Sequence, residues 1–338
     1  MGILKEYILK ASSQNNLSIE ESRQVCKYLL SKSATEAEVG GLLLALKTKG
    51  ESNEEIAGMA LAMKEEAKKF RKIDGFVMDN CGTGGDKLST FNISTTCSFV
   101  LSGCGVKVAK HGNRSISSKS GSSDLLTHLG VNINIPDNRI EDILEEVGIV
   151  FLFAPNMHPL LKNLMQTRLD LQVPTVLNLL GPLINPVDIS GQMLGVYSRE
   201  LVDRMAGILS ILGRKTAIVV NGYGGMDEAS LEGENYIATL KDGYVVSSIL
   251  DPREYGFKKT LNSQLIGGEP IDNAKITLNI LNGEEGAHRD VVILNSAIGL
   301  VASGMCSNIR DAIEMVTYSI DSKSALNKLN LLVKESNR

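Results

Sequence analysis

The sequence predicts an α/β protein, with a small all-helical domain leading into a large α/β domain. Three observations carry this. The first seventy residues hold three helix-start signatures and no strand pattern. From Val77 onward, short apolar runs alternate with helical stretches. Between Asp79 and Asp124, three polar loops rich in Gly, Ser, Asn and Lys are separated by short apolar runs. At 338 residues the chain has room for one large and one smaller domain.

The helical start is read from Ser18 with Glu21, Thr35 with Glu38, and Ser52 with Glu55. In each pair the hydroxyl caps a free amide while the glutamate reaches back to the cap residue. After Thr35 the apolar positions Val39, Leu42, Leu43 and Leu46 have helical spacing, and Gly50 ends them. With a helix over 2–12, four short helices are expected. Further on, Val77-Met78-Asp79 leads as a strand into the first glycine loop, and strands are expected at 106–109, 149–153, 193–197, 217–220 and 236–240. Helices are expected at 94–102, 122–129, 137–147, 159–171, 199–212 and 291–303, with two more after Asn308. The turn-rich segment 179–186 reads as a crossing between domains, and 250–290 as loops with short strands.

Composition narrows the function. Apolar residues make up 43 % and charged residues 22 %, as in a globular, soluble protein. A formal net charge of −4 argues against a general nucleic-acid binder. Five cysteines without a CxxC are expected to be reduced, mostly buried thiols. The first residues, MGILKEYILKASS, lack a signal-peptide core, and no run reaches the ~20 apolar residues of a membrane span. A cytoplasmic protein without membrane contact is expected.

The three loops suit a polyanionic small molecule. Gly82, Gly84 and Gly85 permit close backbone approach and positive φ, and Asp86 can accept ribose hydroxyls or order the loop. The pattern is neither a Walker loop nor GxGxxG. Asn92-Ile93-Ser94-Thr95 stands at an expected helix start, where amides and the helix dipole favour an anion; Ser94 serves equally well as a plain N-cap. Lys110, Asn113 and Arg114 add donors for phosphate oxygens, and 120–124 opens another helix. Adjacent Asp227 and Glu228 follow a strand and a glycine turn. They read either as surface charge or as carboxylates for Mg²⁺. His111, His128, His158 and His288 stand apart with no metal-ligand spacing, and no nucleophile signature occurs.

GTGGD (82–86), NIST (92–95), KHGNRS (110–115), SGSSD (120–124), Met157-His158-Pro159, NLLGPLINP (178–186) and GMDE (225–228), in this order and spacing, resemble the anthranilate phosphoribosyltransferase family. KTKGESNEEIAGMALAM (47–63) extends the resemblance over nearly the whole chain. The resemblance implies a nucleoside phosphorylase-like transferase fold and a homodimer formed through the small domain. That domain would comprise residues 1–72 joined by a returning segment near 165–190, and the large domain 73–164 with 191–338. The implied reaction transfers the phosphoribosyl group of phosphoribosyl pyrophosphate (PRPP) to anthranilate with Mg²⁺, in tryptophan biosynthesis. Carried over by motif, Gly82, Gly85, Asp86, Thr90, Asn92, Ile93, Ser94, Thr95, Lys110 and Ser122 would contact PRPP. Ser94, Asp227 and Glu228 would hold metal. Asn113 and Arg168 would meet anthranilate, with Gly82, His111, His158, Gly181 and Pro182 nearby.

The chemistry fits the absence of a nucleophile. Displacing pyrophosphate from a ribose carbon builds positive charge on the sugar and negative charge on the leaving group. That calls for alignment and electrostatic stabilisation. An Arg such as Arg168 suits an aromatic carboxylate. One segment departs: where the family has Leu-Gly-x-Arg-Thr-x-Phe-Asn, residues 171–178 read LQVPTVLN, with Gln172, Pro174 and Leu177 in place of Gly, Arg and Phe. A guanidinium is lost there and φ is fixed at Pro174. Two other readings stand beside the first. One is a related transferase with a changed acceptor, or a nucleoside phosphorylase. The other is a non-catalytic nucleic-acid-binding relative, disfavoured by the net charge and the Asp227–Glu228 pair.

Overall fold

The computed structural model describes residues 4–114 and 119–338. Ser115 and Ser117, which border the second and third loops, lie outside the described residues. The chain opens with helices α1 (Leu4–Ser12), α2 (Ile19–Leu30), α3 (Glu36–Lys49) and α4 (Asn53–Glu65). It continues through β1 (Val77–Gly82), α5 (Ile93–Gly103), β2 (Lys107–Gly112), α6 (Ser122–His128), α7 (Asp137–Val147) and β3 (Ile149–Phe153). Short helices α8 (Ala154–Met157), α9 (Met165–Leu171) and α10 (Leu177–Leu180) precede β4 (Gly191–Gly195), α11 (Glu200–Ile211) and β5 (Thr216–Asn221). The chain ends with β6 (Asn235–Lys241), β7 (Tyr244–Leu250), α12 (Pro270–Leu281), α13 (Ala287–Ala302), α14 (Ile309–Asp321) and α15 (Ser324–Ser336).

Two compact units result: Met1–Phe70 with Pro155–Pro186 and Gly207–Gly213, and Arg71–Ala154 with Val187–Ala206 and Arg214–Arg338. In the helical unit all three capping boxes form. Ser18, Thr35 and Ser52 each accept from the amide of the glutamate three residues on, and that carboxylate accepts from the cap amide. Glu55 does more than cap. It is fully buried, and it accepts from the Leu17 amide at 2.8 Å and from Lys49 Nζ at 2.8 Å. α1 packs on α3, α2 on α4, and α9 on α3.

Gln172 closes α9 in the left-handed region, at φ 51°. This is one of the positions where the family pattern has Gly. A side chain there costs about 1–2 kcal/mol, and the extra freedom of glycine in the unfolded chain returns about 0.4–1 kcal/mol of that. Gln172→Gly is therefore expected to leave the unfolding free energy, read from denaturant titration, unchanged or slightly raised, whereas Gln172→Val lowers it by more than about 1 kcal/mol.

The larger unit is built on one seven-stranded sheet in the order β3-β2-β1-β4-β5-β6-β7. The strands from β3 across to β5 pair in parallel; β6 and β7 pair antiparallel. α5 and α13 pack together, and every residue of α5 from Thr95 to Ser102 is buried. A strand the sequence reading lacked, β7, completes a hairpin through Asp242 and Gly243, both at positive φ, the conformation an Asp-Gly turn favours. The structure also corrects the loop expectation for 250–290, which holds helix α12 and the start of α13. α12 starts at Pro270 behind Glu269, whose amide donates to Asp272 at 3.2 Å. Pro at the first helical position with an acid three residues past the cap is a start signal that the lack of periodicity masked.

Candidate active site at the carboxyl ends of the sheet

β1 has β2 on one side and β4 on the other. The chain runs outward through β2 and β3, then returns across β1 to lay down β4 and β5. In open parallel sheets such a reversal leaves a binding site beyond the strands' carboxyl ends. Here those ends are the first glycine loop after β1, Gly195 on β4, and the turn after β5 that carries Asp227 and Glu228.

These pieces lock together. The Gly84 amide donates to Asp227 Oδ2 at 2.8 Å, and the Thr83 amide to the Gly195 carbonyl at 2.9 Å. A side chain begun at Gly82 would stand 2.3 Å from Asp227 Oδ2, and one at Gly195 1.6 Å from the Asp227 carbonyl. Both glycines are there for close approach. Beyond them Gly84, Gly85, Lys87 and Ser89 all adopt positive φ, and the two side-chain-bearing residues cost about 1–2 kcal/mol each. Runs of this kind expose successive amides to an anion. The Asp86 carboxylate accepts from the Leu88 amide at 3.1 Å, and Thr90 bridges to Ile266.

The structure corrects the capping alternative for Ser94. Helix α5 begins at Ile93 with Asn92 as its cap residue, so Ser94 lies inside the first turn. Its amide donates to Glu228 Oε1 at 3.1 Å. The other alternative, solvated surface charge at Asp227 and Glu228, also fails: Glu228 is 8 % exposed, and Asp227 is half-buried with its carboxylate held by the Gly84 amide. Burial pushes both carboxyls well above the usual carboxylate range. The charge of Asp86 adds to this for Asp227, and the charge of Asp227 adds to it for Glu228; Lys110 counters it at Glu228.

Several expected ligand contacts are engaged within the protein. Lys110 is buried, and its ammonium donates to the Asn80 carbonyl at 2.6 Å. The Asn92 amide donates to the Ser120 carbonyl and accepts from Ser120 Oγ and Asn273 Nδ2. Ile93 and Thr95 have buried side chains. Ser122 Oγ donates to the Asn113 carbonyl at 3.2 Å, fastening the second loop to the start of α6. That start already has an anion, because Asp124 accepts from the Gly121 amide at 2.9 Å. Asn113 is exposed and accepts from the Arg114 amide, while His111 is buried on β2 with its amide on Asp79.

His158, Arg168, Gly181 and Pro182 belong to the helical unit. Arg168, on α9, is half-buried, and burial lowers its guanidinium from the ordinary value. Burial also lowers His158, to about 4, although backbone groups at Met63 and Ile184 oppose the shift. A folded-state value below the unfolded 6.5 gives a stability contribution complete above pH 6.5 and lost as pH falls toward 4. Acidifying from pH 7 to 5 should thus cost wild type about 2 kcal/mol more than His158→Gln, read from denaturant midpoints at both pH values.

Two positioning residues escaped the sequence reading. Asn80, buried in β1, donates to the Ser94 carbonyl at 2.8 Å, accepts from Ser98 Oγ at 2.7 Å, and lends its own carbonyl to Lys110. Asn295, buried in α13, accepts from the Ala229 amide at 2.8 Å and donates to the Ala229 carbonyl at 2.9 Å, fixing the backbone next to Glu228. Both are amides inside apolar segments, and that interruption was the available signal. Among the described residues there is no group of three or more His, Cys, Asp or Glu set to hold a metal, and no helix long and apolar enough to cross a membrane.

Comparison with known proteins agrees with this architecture. Residues 74–326 match the glycosyl transferase family a/b domain and residues 5–67 its helical bundle domain. The fold and site thus define a two-part glycosyl transferase. An anthranilate phosphoribosyltransferase of Bacillus cereus is 49 % identical over 334 residues, covering 99 % of this chain and 98 % of the relative. The crystal structure of anthranilate phosphoribosyltransferase from Thermus thermophilus superposes with a TM-score of 0.93 at 37 % identity, covering 98 % of this chain and 99 % of that one. The Saccharomyces cerevisiae enzyme, solved with PRPP and Mg and with 4-fluoroanthranilate, is 27 % identical with a TM-score of 0.89 in both cases. Coverage is 98 % of each chain in the first, and 99 % of this chain and 98 % of that one in the second. The chain belongs to the anthranilate phosphoribosyltransferase family.

Proposed function

We propose that this chain transfers the phosphoribosyl group of PRPP to the amine of anthranilate, releasing pyrophosphate, as the phosphoribosylanthranilate-forming step of tryptophan biosynthesis. The observation that carries the reading is the Asp227–Glu228 pair, the first half-buried and the second buried, held beneath a glycine loop at the sheet's carboxyl ends. Ionising both would place more negative charge there than the one nearby lysine neutralises, which a bound cation would relieve. The Asp86 Oδ2 atom beside them is buried and accepts no hydrogen bond from the described residues. This donor set fits Mg²⁺, which takes one or two carboxylates and completes its shell with phosphate oxygens and water. Asp227, Glu228 and the Ser94 hydroxyl would hold it. When bound, it supplies charge stabilisation for the departing pyrophosphate.

The chain's own residues do the rest. The Gly84 amide holds Asp227, the amides of Gly85 and its neighbours bind phosphate oxygens, and Asp86, Thr90 and Asn92 fix the loop and the sugar in register. Lys110 holds a fixed positive charge beneath the leaving group. Asn80 keeps Lys110 and Ser94 at their stations. Arg168 pairs with the anthranilate carboxylate; burial alone shifts its guanidinium, with no carboxylate opposing the shift. Asn113 is the acceptor residue of the larger unit. With nucleophile and leaving group aligned, no protein nucleophile is required. The protein acts in the cytoplasm as a homodimer. Its helical unit leaves Leu9, Leu44, Met165 and Leu169 exposed on α1, α3 and α9, apolar surface suited to a second copy.

The altered segment 172–177 makes acceptor choice the point to test. With PRPP and Mg²⁺ supplied, kcat/KM is measured for anthranilate, for other aromatic amines, and for nucleoside with phosphate. Anthranilate should lead. Preference for another amine, or phosphorolysis of nucleosides without use of anthranilate, would refute this reading.

A further inference from the structure

At the far end of α5 from Ser94, sulfur atoms gather at the surface. Cys104 caps the helix, and its Sγ lies 3.6 Å from the Met315 carbonyl. Cys306 Sγ lies 3.2 Å from Met315 Sδ. Met315, on α14, therefore meets Cys306 with its sulfur and Cys104 with its backbone carbonyl. Met305 approaches from the loop after α13, its methyl 3.9 Å from the point where a side chain on Gly105 would begin. Met305 is 48 % exposed and Met315 37 % exposed. Methionine and cysteine are ordinarily among the residues folding hides, so a thiol–thioether contact with a second thiol and a second methionine close by, all partly exposed, calls for an explanation.

Their chemistry selects a ligand. Thiolate and thioether sulfur are soft donors that prefer soft cations to Mg²⁺ or Ca²⁺. The electrostatics point the same way, because the C-terminal end of an eleven-residue helix is the negative pole of its dipole. Asp311 adds negative charge near Cys306. A Sγ–Sδ separation of 3.2 Å needs only a modest opening to admit a cation between the two atoms. We propose that Cys104, Cys306 and Met315, with Met305 alongside, form a binding site for one soft monovalent cation of the copper(I) class. On binding, each coordinating thiol passes its proton to solvent as its sulfur–metal bond forms, and no oxidation state changes.

Ag(I) is the probe, since it shares the preference of copper(I) and is not oxidised by air. Reduced, full-length protein is titrated with Ag(I) in chloride-free, thiol-free buffer, and bound metal is counted by native mass spectrometry and calorimetry. Wild type is expected to take up one tight Ag(I) per chain. Outer-shell partners alone are worth about 10- to 100-fold in metal affinity, so Cys306→Ser and Met315→Leu should each weaken binding at least about tenfold. Both residues are partly exposed, so each variant is expected to fold, which an unchanged denaturation midpoint checks. Cys81→Ser should keep the tight site. Unchanged Ag(I) affinity in Cys306→Ser with Met315→Leu, or loss of the tight site in Cys81→Ser alone, would overturn the proposal.

Discussion

Asp227→Asn combined with Glu228→Gln should lower Mg²⁺-dependent turnover by about 10²- to 10³-fold, the loss of roughly 3–4 kcal/mol of charge stabilisation. The same change should leave the protein as stable as wild type, or more stable. Burial and mutual repulsion hold both carboxyls above their ordinary range, so in the metal-free protein their ionised forms oppose folding. Amides of the same shape remove that opposition and can still accept from the Gly84 and Ser94 amides. Turnover as a function of Mg²⁺, together with thermal denaturation, checks both halves. A variant that falls in stability and activity together would mark the pair as structural. Unchanged rates at limiting Mg²⁺ would remove it from the site.

Gly82→Ala should cost about 100-fold in kcat/KM through geometry alone. The added methyl would come within 2.3 Å of Asp227 Oδ2, so either the carboxylate or the glycine loop must move by an ångström or more. Displacements of about 1 Å are enough to cost about 10²-fold where alignment carries the rate. Overpacking of this kind costs about 1–3 kcal/mol of stability, which the protein should survive folded. The informative readout is steady-state kinetics beside a denaturation curve. Wild-type kcat/KM in a folded Gly82→Ala protein would show that Asp227 need not sit where the glycine allows it to.

The parts of the fold visible in the sequence are those governed by local rules. The three capping boxes form as read, because a hydroxyl and a glutamate three residues apart can satisfy each other without distant help. The helix at 137–147 and the strand at 149–153 have the expected bounds: the helix carries a clear period stopped by Gly148, and the strand is a short unbroken apolar run that follows that stop. The Pro start of α12 was present but submerged in a segment without periodicity, and the Asp-Gly turn before β7 went unread although its residue types mark it. The site divides along the same line. Gly82, Asp227 and Glu228 stand out as residue types in the sequence. What Gly82 is for depends on a contact with a residue far along the chain. Asn80, Asn295 and the second duty of Glu55 are defined wholly by tertiary partners, and no spacing rule reports them.

The central claim is that this chain joins PRPP to anthranilate with the help of Mg²⁺. Its most direct test combines purified full-length protein with PRPP, Mg²⁺ and anthranilate, and follows anthranilate fluorescence and pyrophosphate release in one reaction. Fluorescence should fall with one pyrophosphate released per anthranilate consumed; a chelator should stop both, and added Mg²⁺ should restore both. Steady fluorescence with intact PRPP, or undiminished turnover in the chelator, would contradict the claim.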